Sequence, residues 1–130
     1  MLDVGILGAM ARIPVELMVK GNRLYDEYRG AFVENYVAQP ICAQFGNMLC
    51  YWKSEGKKAE LDFLLEYQSL IHPLESKAGI NPKSKSLQSY QQQFDPEVIS
   101  RATLLNLKKN GQILNYPLYA ISLFPRLGLV

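Results

Sequence analysis

Residues 61–77 read Leu-Asp-Phe-Leu-Leu-Glu-Tyr-Gln-Ser-Leu-Ile-His-Pro-Leu-Glu-Ser-Lys, and this stretch decides the fold. On either side of Gln68-Ser69 it is rich in branched and aromatic residues, as two strands joined by a two-residue turn would be. That turn sets Tyr67 against Leu70 and Asp62 against Glu75, and directly opposed residues share a face of the sheet. Lys77 lies two residues past Glu75 and points the same way, so Asp62, Glu75 and Lys77 form one polar cluster at one end of the pair. The other face, with Leu61, Phe63 and Leu65 against Ser76, Leu74 and His72, is mostly apolar and is expected to pack on a helix.

Before this hairpin, Phe32 and Tyr36, and Val33, Val37 and Ile41, recur at helical intervals, which predicts a helix over 24–45. Pro40 interrupts it, removing a hydrogen bond to the Tyr36 carbonyl and predicting a kink. Residues 49–53 read as a strand, joined to the next by the polar stretch 54–58. After the break at Asn81-Pro82, Leu87, Tyr90 and Phe94 mark a second helix, capped by Ser84 or Ser86 and ended by Asp95-Pro96. A strand is predicted over 101–107, then a tight turn at Asn110-Gly111, a short strand returning toward Asn115, and a final helix opened by Pro117. Residues 1–23 read as two short helical pieces, and 24–130 as one domain. The order is helix, three strands, helix, strand, a mixed α/β fold with a sheet flanked by helices.

With 130 residues, 48% of them apolar and 20% charged, the chain has the make-up of one ordinary globular domain. A net charge of +2 is too mild to announce a nucleic-acid surface by itself. No phosphate-loop, dinucleotide-turn, zinc-protease or nucleophile-elbow motif occurs, and His72 is the only histidine, so any chemistry rests on carboxylates, lysines or a bound metal. Cys42 and Cys50 lack metal-site spacing and read as small buried residues. No apolar run is long enough to span a membrane and no signal peptide opens the chain, which predicts a cytoplasmic protein.

Two carboxylates opposed at about 5 Å destabilise a strand pair, and a divalent cation is the natural reason to place them so. Magnesium takes oxygen ligands from one or two carboxylates and keeps waters, one of which can attack a phosphodiester. A lysine beside it can position that water and stabilise charge growing on the phosphate. Glu34 shares a helical stripe with Val37 and Ile41 and lies at the edge of the face turned to the sheet. Plainer readings stand beside these. Asp62, Glu75 and Lys77 also suit a surface ion-pair ladder, worth under about 1 kcal/mol. Glu34 also suits a solvated helix flank, His72 a packed core histidine, and Tyr51-Trp52 the core. Lys83 and Lys85 suit a solvated loop, although they sit where a backbone phosphate can approach.

The series Phe32-Val33-Glu34-Asn35-Tyr36-Val37-Ala38, Tyr51-Trp52-Lys53-Ser54, Asp62-Phe63-Leu64-Leu65-Glu66 and Pro73-Leu74-Glu75-Ser76-Lys77-Ala78-Gly79 resembles the C-terminal domain of many bacterial and archaeal AAA+ ATPases. Lys85-Ser86-Leu87 with Tyr90, and Asn115-Tyr116-Pro117-Leu118-Tyr119-Ala120, extend the resemblance from about Leu2 to Phe124. That domain is similar to the PD-(D/E)xK, or restriction endonuclease-like, superfamily. The resemblance implies Asp62 as the motif aspartate, Glu75 and Lys77 as the ExK pair, and Glu34 as the acid of the first core helix. It further implies Mg or Mn held by Asp62, Glu75 and Glu34, DNA as substrate, and an ATPase module as partner. Ser76 departs from the usual branched apolar residue, which is expected to loosen packing under the site, and Pro40 departs from a helix-continuing one. The family's ATPase module has no counterpart in these 130 residues, so no ATP site is expected and the chain reads as a detached C-terminal portion. An exposed apolar patch near the N-terminus is then expected, one that a homodimer would cover. The rival expectations are a non-catalytic domain of the same fold that binds DNA or protein, and a truncated remnant that folds without activity.

Overall fold

The structure, a computed structural model, describes residues 9–10, 12, 23–46, 49–56, 58–79 and 83–129. Helix α1 (Arg23–Phe45) leads into strands β1 (Cys50–Lys53), β2 (Glu60–Tyr67) and β3 (Leu70–Ser76), then helix α2 (Lys85–Phe94) and strand β4 (Ile99–Thr103). This is the expected order, and strands β5 (Lys108–Asn110) and β6 (Ile113–Pro117) extend it. They are followed by 3-10 helices Leu118–Leu123 and Arg126–Leu129, the first standing where a final α-helix was expected. The six strands form one sheet in the order β1-β2-β3-β4-β6-β5. The pairs β3/β4 and β4/β6 are parallel and the others antiparallel, so α2 is the crossover that a parallel β3/β4 pair requires. Among the described residues no helix is long and apolar enough to cross a membrane.

The β2/β3 register follows the prediction from Tyr67↔Leu70 to Phe63↔Leu74, but the expected Asp62↔Glu75 pair is not part of the ladder, and Asp62 bonds Ser76 instead. Gln68 and Ser69 both adopt positive φ, 53° and 63°, as a two-residue hairpin turn demands. On one face, α1 and the first 3-10 helix bury Val37, Ile41, Phe63, Leu65, Leu74, Ala102, Tyr116, Ile121 and Phe124 together. On the other, α2 packs Leu87 and Tyr90 on Leu61 and Ile99, with Trp52, Leu64 and Ile113 at the margin. Leu61 therefore does not share a face with Phe63 and Leu65 as expected. The cause is a bulge: Trp52 pairs with Leu61 but Cys50 with Leu64, so Asp62 and Phe63 together oppose Tyr51. One extra residue reverses the alternation there.

Local signals account for the helices. Ser84 caps α2 by accepting from Leu87 N–H at 3.0 Å, and Asp95 ends it in the left-handed region at φ 42°. Helix α1 runs through Pro40 as one element, anchored on both sides of the missing hydrogen bond by fully buried Val37 and Ile41. The strand expected over 101–107 ends at Thr103, and the hairpin follows as β5 and β6. Tyr51 is exposed and Trp52 half-buried, because β1 is an edge strand; Cys50 is exposed and Cys42 half-buried, neither of them core, and neither forms a disulfide. Of the N-terminal segment only Ala9, Met10, Arg12 and Arg23, which opens α1, are described; Met10 is exposed, and the expected pair of short helices otherwise lies outside the described residues.

His72 is fully buried between the rings of Tyr67 and Phe124. Its Nε2 lies 3.2 Å from the Tyr67 carbonyl, and Nδ1 has no partner. Burial holds the imidazole below its ordinary pKa, opposed by the Tyr67 carbonyl, so it folds neutral. The unfolded chain takes up this proton near pH ~6.5, whereas the folded chain takes it up only at lower pH, so stability falls as pH drops below about 6.5. Urea denaturation on either side of that pH is expected to show the loss, and His72→Phe to flatten it. An unchanged slope in the variant would place the acid sensitivity elsewhere.

Candidate functional site

The bulge falls at Asp62, and the carboxylate takes over where the β2/β3 ladder stops. Asp62 Oδ2 accepts from Ser76 N–H at 2.7 Å and from Ser76 Oγ–H at 2.9 Å. Ser76 thus anchors the aspartate instead of loosening the packing beneath it, a role that sequence reasoning missed. The same pair of bonds holds the bulge near the amino end of β2 to the carboxyl end of β3.

Glu75 follows Leu74 on the opposite face of β3 and is only 4% exposed. Its Oε1 lies 2.8 Å from Lys77 Nζ, and its Oε2 is buried with no hydrogen-bond partner. Burial pushes the Glu75 carboxyl up; the Lys77 hydrogen bond and charge pull it back, and the Asp62 charge pushes it further up. Glu34, exposed on α1, is also raised, first by partial burial and then by Asp62 and Glu60. Asp62 is therefore the charge felt by both other acids. Among the described residues, however, no three His, Cys, Asp or Glu side chains converge closely enough to hold a metal ion. Glu75 is paired with Lys77 and Asp62 with Ser76; Asp62 reaches Glu75 and the exposed Glu34 alike only through its charge.

On the neighbouring strand Arg101 sits level with Glu75 in the parallel register. Arg101 is 5% exposed, and its Nε donates to Asn115 Oδ1 at 3.2 Å, which also accepts from Thr103 Oγ1 at 2.8 Å. Burial lowers the Arg101 pKa and the Glu75 charge opposes that. Glu75, Arg101 and Asn115 thus form a buried polar row across β3, β4 and β6. Sequence reasoning also missed this row; its one signal is an arginine between Ser100 and Ala102 inside an otherwise buried strand. Lys83 and Lys85, both exposed, flank the α2 cap, and Ser86 Oγ accepts from Glu60 N–H at 3.3 Å, which brings the start of α2 beside the start of β2. They therefore lie at the same end of the sheet as the acids. Farther along α2, a groove of about 570 Å³ runs between Trp52, Leu64, Ile71, Tyr90 and Phe94.

These features define a mixed α/β domain with an acid–lysine pair at the carboxyl end of a parallel strand. The chain belongs to the family described as domain of unknown function DUF4143, whose model matches residues 29–122. That span holds every site residue named above. No curated protein and no solved structure matches the chain.

Because Glu75 is buried and Lys77 compensates it, the two positions are expected to respond differently to substitution. Lys77→Met leaves a buried carboxylate without its cation and is expected to cost about 1–3 kcal/mol at neutral pH, discounted for the partial exposure of Lys77. Glu75→Gln removes the charge itself and should cost less. The Lys77→Met deficit should close toward acid pH, because protonating Glu75 removes the uncompensated charge. Equal losses in denaturant melts at both pH values would show that the pair contributes nothing through charge.

Proposed function

We propose that this chain is a metal-dependent DNA phosphodiesterase domain of the PD-(D/E)xK type, working in the cytoplasm with an AAA+ ATPase module. The observation that supports the reading is the unspent, buried Oε2 of Glu75, which feels the Asp62 charge and has Lys77 on its other oxygen. Two carboxylates suit the donor chemistry of Mg or Mn, which bind through one or two acids and retain waters. Glu75 Oε2 and Asp62 would hold the ion, with Glu34 at a distance through water. A bound ion of this kind supplies a polarised phosphoryl oxygen and an activated water.

The chain's own residues carry the remainder. Ser76 fixes Asp62 by two hydrogen bonds, so the carboxylate need not be ordered on binding. Lys77 Nζ, already oriented by Glu75, is placed to donate to a phosphate oxygen as charge grows there. Lys83 and Lys85 would contact flanking phosphates. The non-catalytic reading draws on one observation, that among the described residues three acids do not converge. Plasmid cleavage with Mn is expected for the wild type, to be abolished by EDTA and to fall by roughly 10²-fold or more in Glu75→Gln and Asp62→Asn. Absence of cleavage together with absence of Mn binding by calorimetry would leave the non-catalytic domain as the function.

A further inference from the structure

The loop after β4 exposes what most loops hide. Leu104 and Leu107 are 61% and 51% exposed, and Leu105 is exposed between them. The backbone of this loop is nevertheless held from inside. Thr103 Oγ1 accepts from Leu105 N–H at 3.0 Å, and Asn115 Nδ2 donates to the carbonyls of Leu105 and Asn106 at 3.1 and 2.9 Å. Thr103 and Asn115 are almost completely buried, and buried polar side chains are costly unless every bond is made. Here those bonds are directed to a surface loop, which fixes one conformation that displays three leucines to water.

The position of the loop suggests what it meets. Lys77 N–H donates to the Ala102 carbonyl at 2.9 Å, so the leucines begin two residues beyond the point where β4 touches the acid–lysine pair. The chain continues from Leu107 into exposed Lys108 and Lys109. Lys83 and Lys85 occupy the same end of the sheet. Apolar side chains flanked by cations complement a nucleic-acid duplex, whose base steps admit an apolar wedge while its phosphates take the lysines.

We propose that Leu104, Leu105 and Leu107, with Lys108 and Lys109, grip duplex DNA: the leucines part a base step and the lysines hold the adjoining phosphates. This deepens the phosphodiesterase reading and rests on it for the choice of DNA as the polyanion. The full chain in EDTA, with a short duplex carrying 2-aminopurine, tests the grip without any cleavage. Wild type is expected to raise 2-aminopurine fluorescence on binding. Leu104→Ser with Leu107→Ser, both at exposed positions, should remove that rise while circular dichroism stays unchanged. Lys108→Ala with Lys109→Ala should retain the rise and lower the salt slope of binding by about 2.

Wild type that binds no duplex, or variants that bind and unstack as wild type does, overturn the proposal. Stronger binding to phosphatidylserine vesicles than to DNA, lost in the same variants, overturns it in favour of a membrane surface. A fluorescence rise in EDTA combined with no cleavage in Mn supports the grip and defeats the phosphodiesterase reading. Cleavage in Mn by leucine and lysine variants that bind as wild type does defeats the grip alone.

Discussion

Two hydrogen bonds from Ser76 to one oxygen of Asp62 organise this molecule, because they are made where the regular β2/β3 ladder gives out. The bulge at Asp62 and Phe63 lets β2 send Leu61 to α2 and Phe63 to α1, so both hydrophobic layers draw on the same strand. A bulge leaves backbone groups without ladder partners. The Asp62 carboxylate, at the same point of β2, accepts from Ser76 of β3 and is itself fixed at the end of the sheet where the other polar residues gather. The layering of the fold and the placement of the candidate site therefore share a single local irregularity.

Around that point the charges are arranged by burial more than by pairing. Glu75 is driven toward its neutral form by the low-dielectric interior and returned toward the anion by Lys77, with Arg101 level with it on the next strand. A buried carboxylate with one satisfied oxygen and one unspent oxygen is poised: it can take a proton, a water or a cation at the same atom. Asp62, with Oδ2 already committed to Ser76, contributes charge from a fixed place.

The hairpin was legible because its signals are local. Alternating branched residues and a two-residue turn fix register with no knowledge of the rest of the chain, and Tyr67↔Leu70 follows from them. Ser84 and Asp95 announced the ends of α2 for the same reason. The bulge was not legible, since it arises from how β1 meets β2 and leaves no mark in residues 61–65 themselves. The exposure of Tyr51 and Cys50 likewise depends on β1 being an edge, which is a property of strand order. Of the candidate site, Glu75 and Lys77 were readable as a pair, while Arg101, Thr103 and Asn115 were not: they meet only through two parallel strand pairings, and sequence spacing carries no trace of them.

The same division has a kinetic meaning. The β2/β3 hairpin closes over a two-residue turn, whereas β4 must return across α2 to lie parallel to β3, and pairings distant in sequence form late because chain entropy is lost before contacts compensate it. Glu75 and Lys77, two residues apart, need no distant pairing to meet. Only when β4 docks and lays Arg101 beside it is Glu75 sealed from solvent. The raised Glu75 carboxyl thus owes its burial in part to pairings between residues distant in sequence.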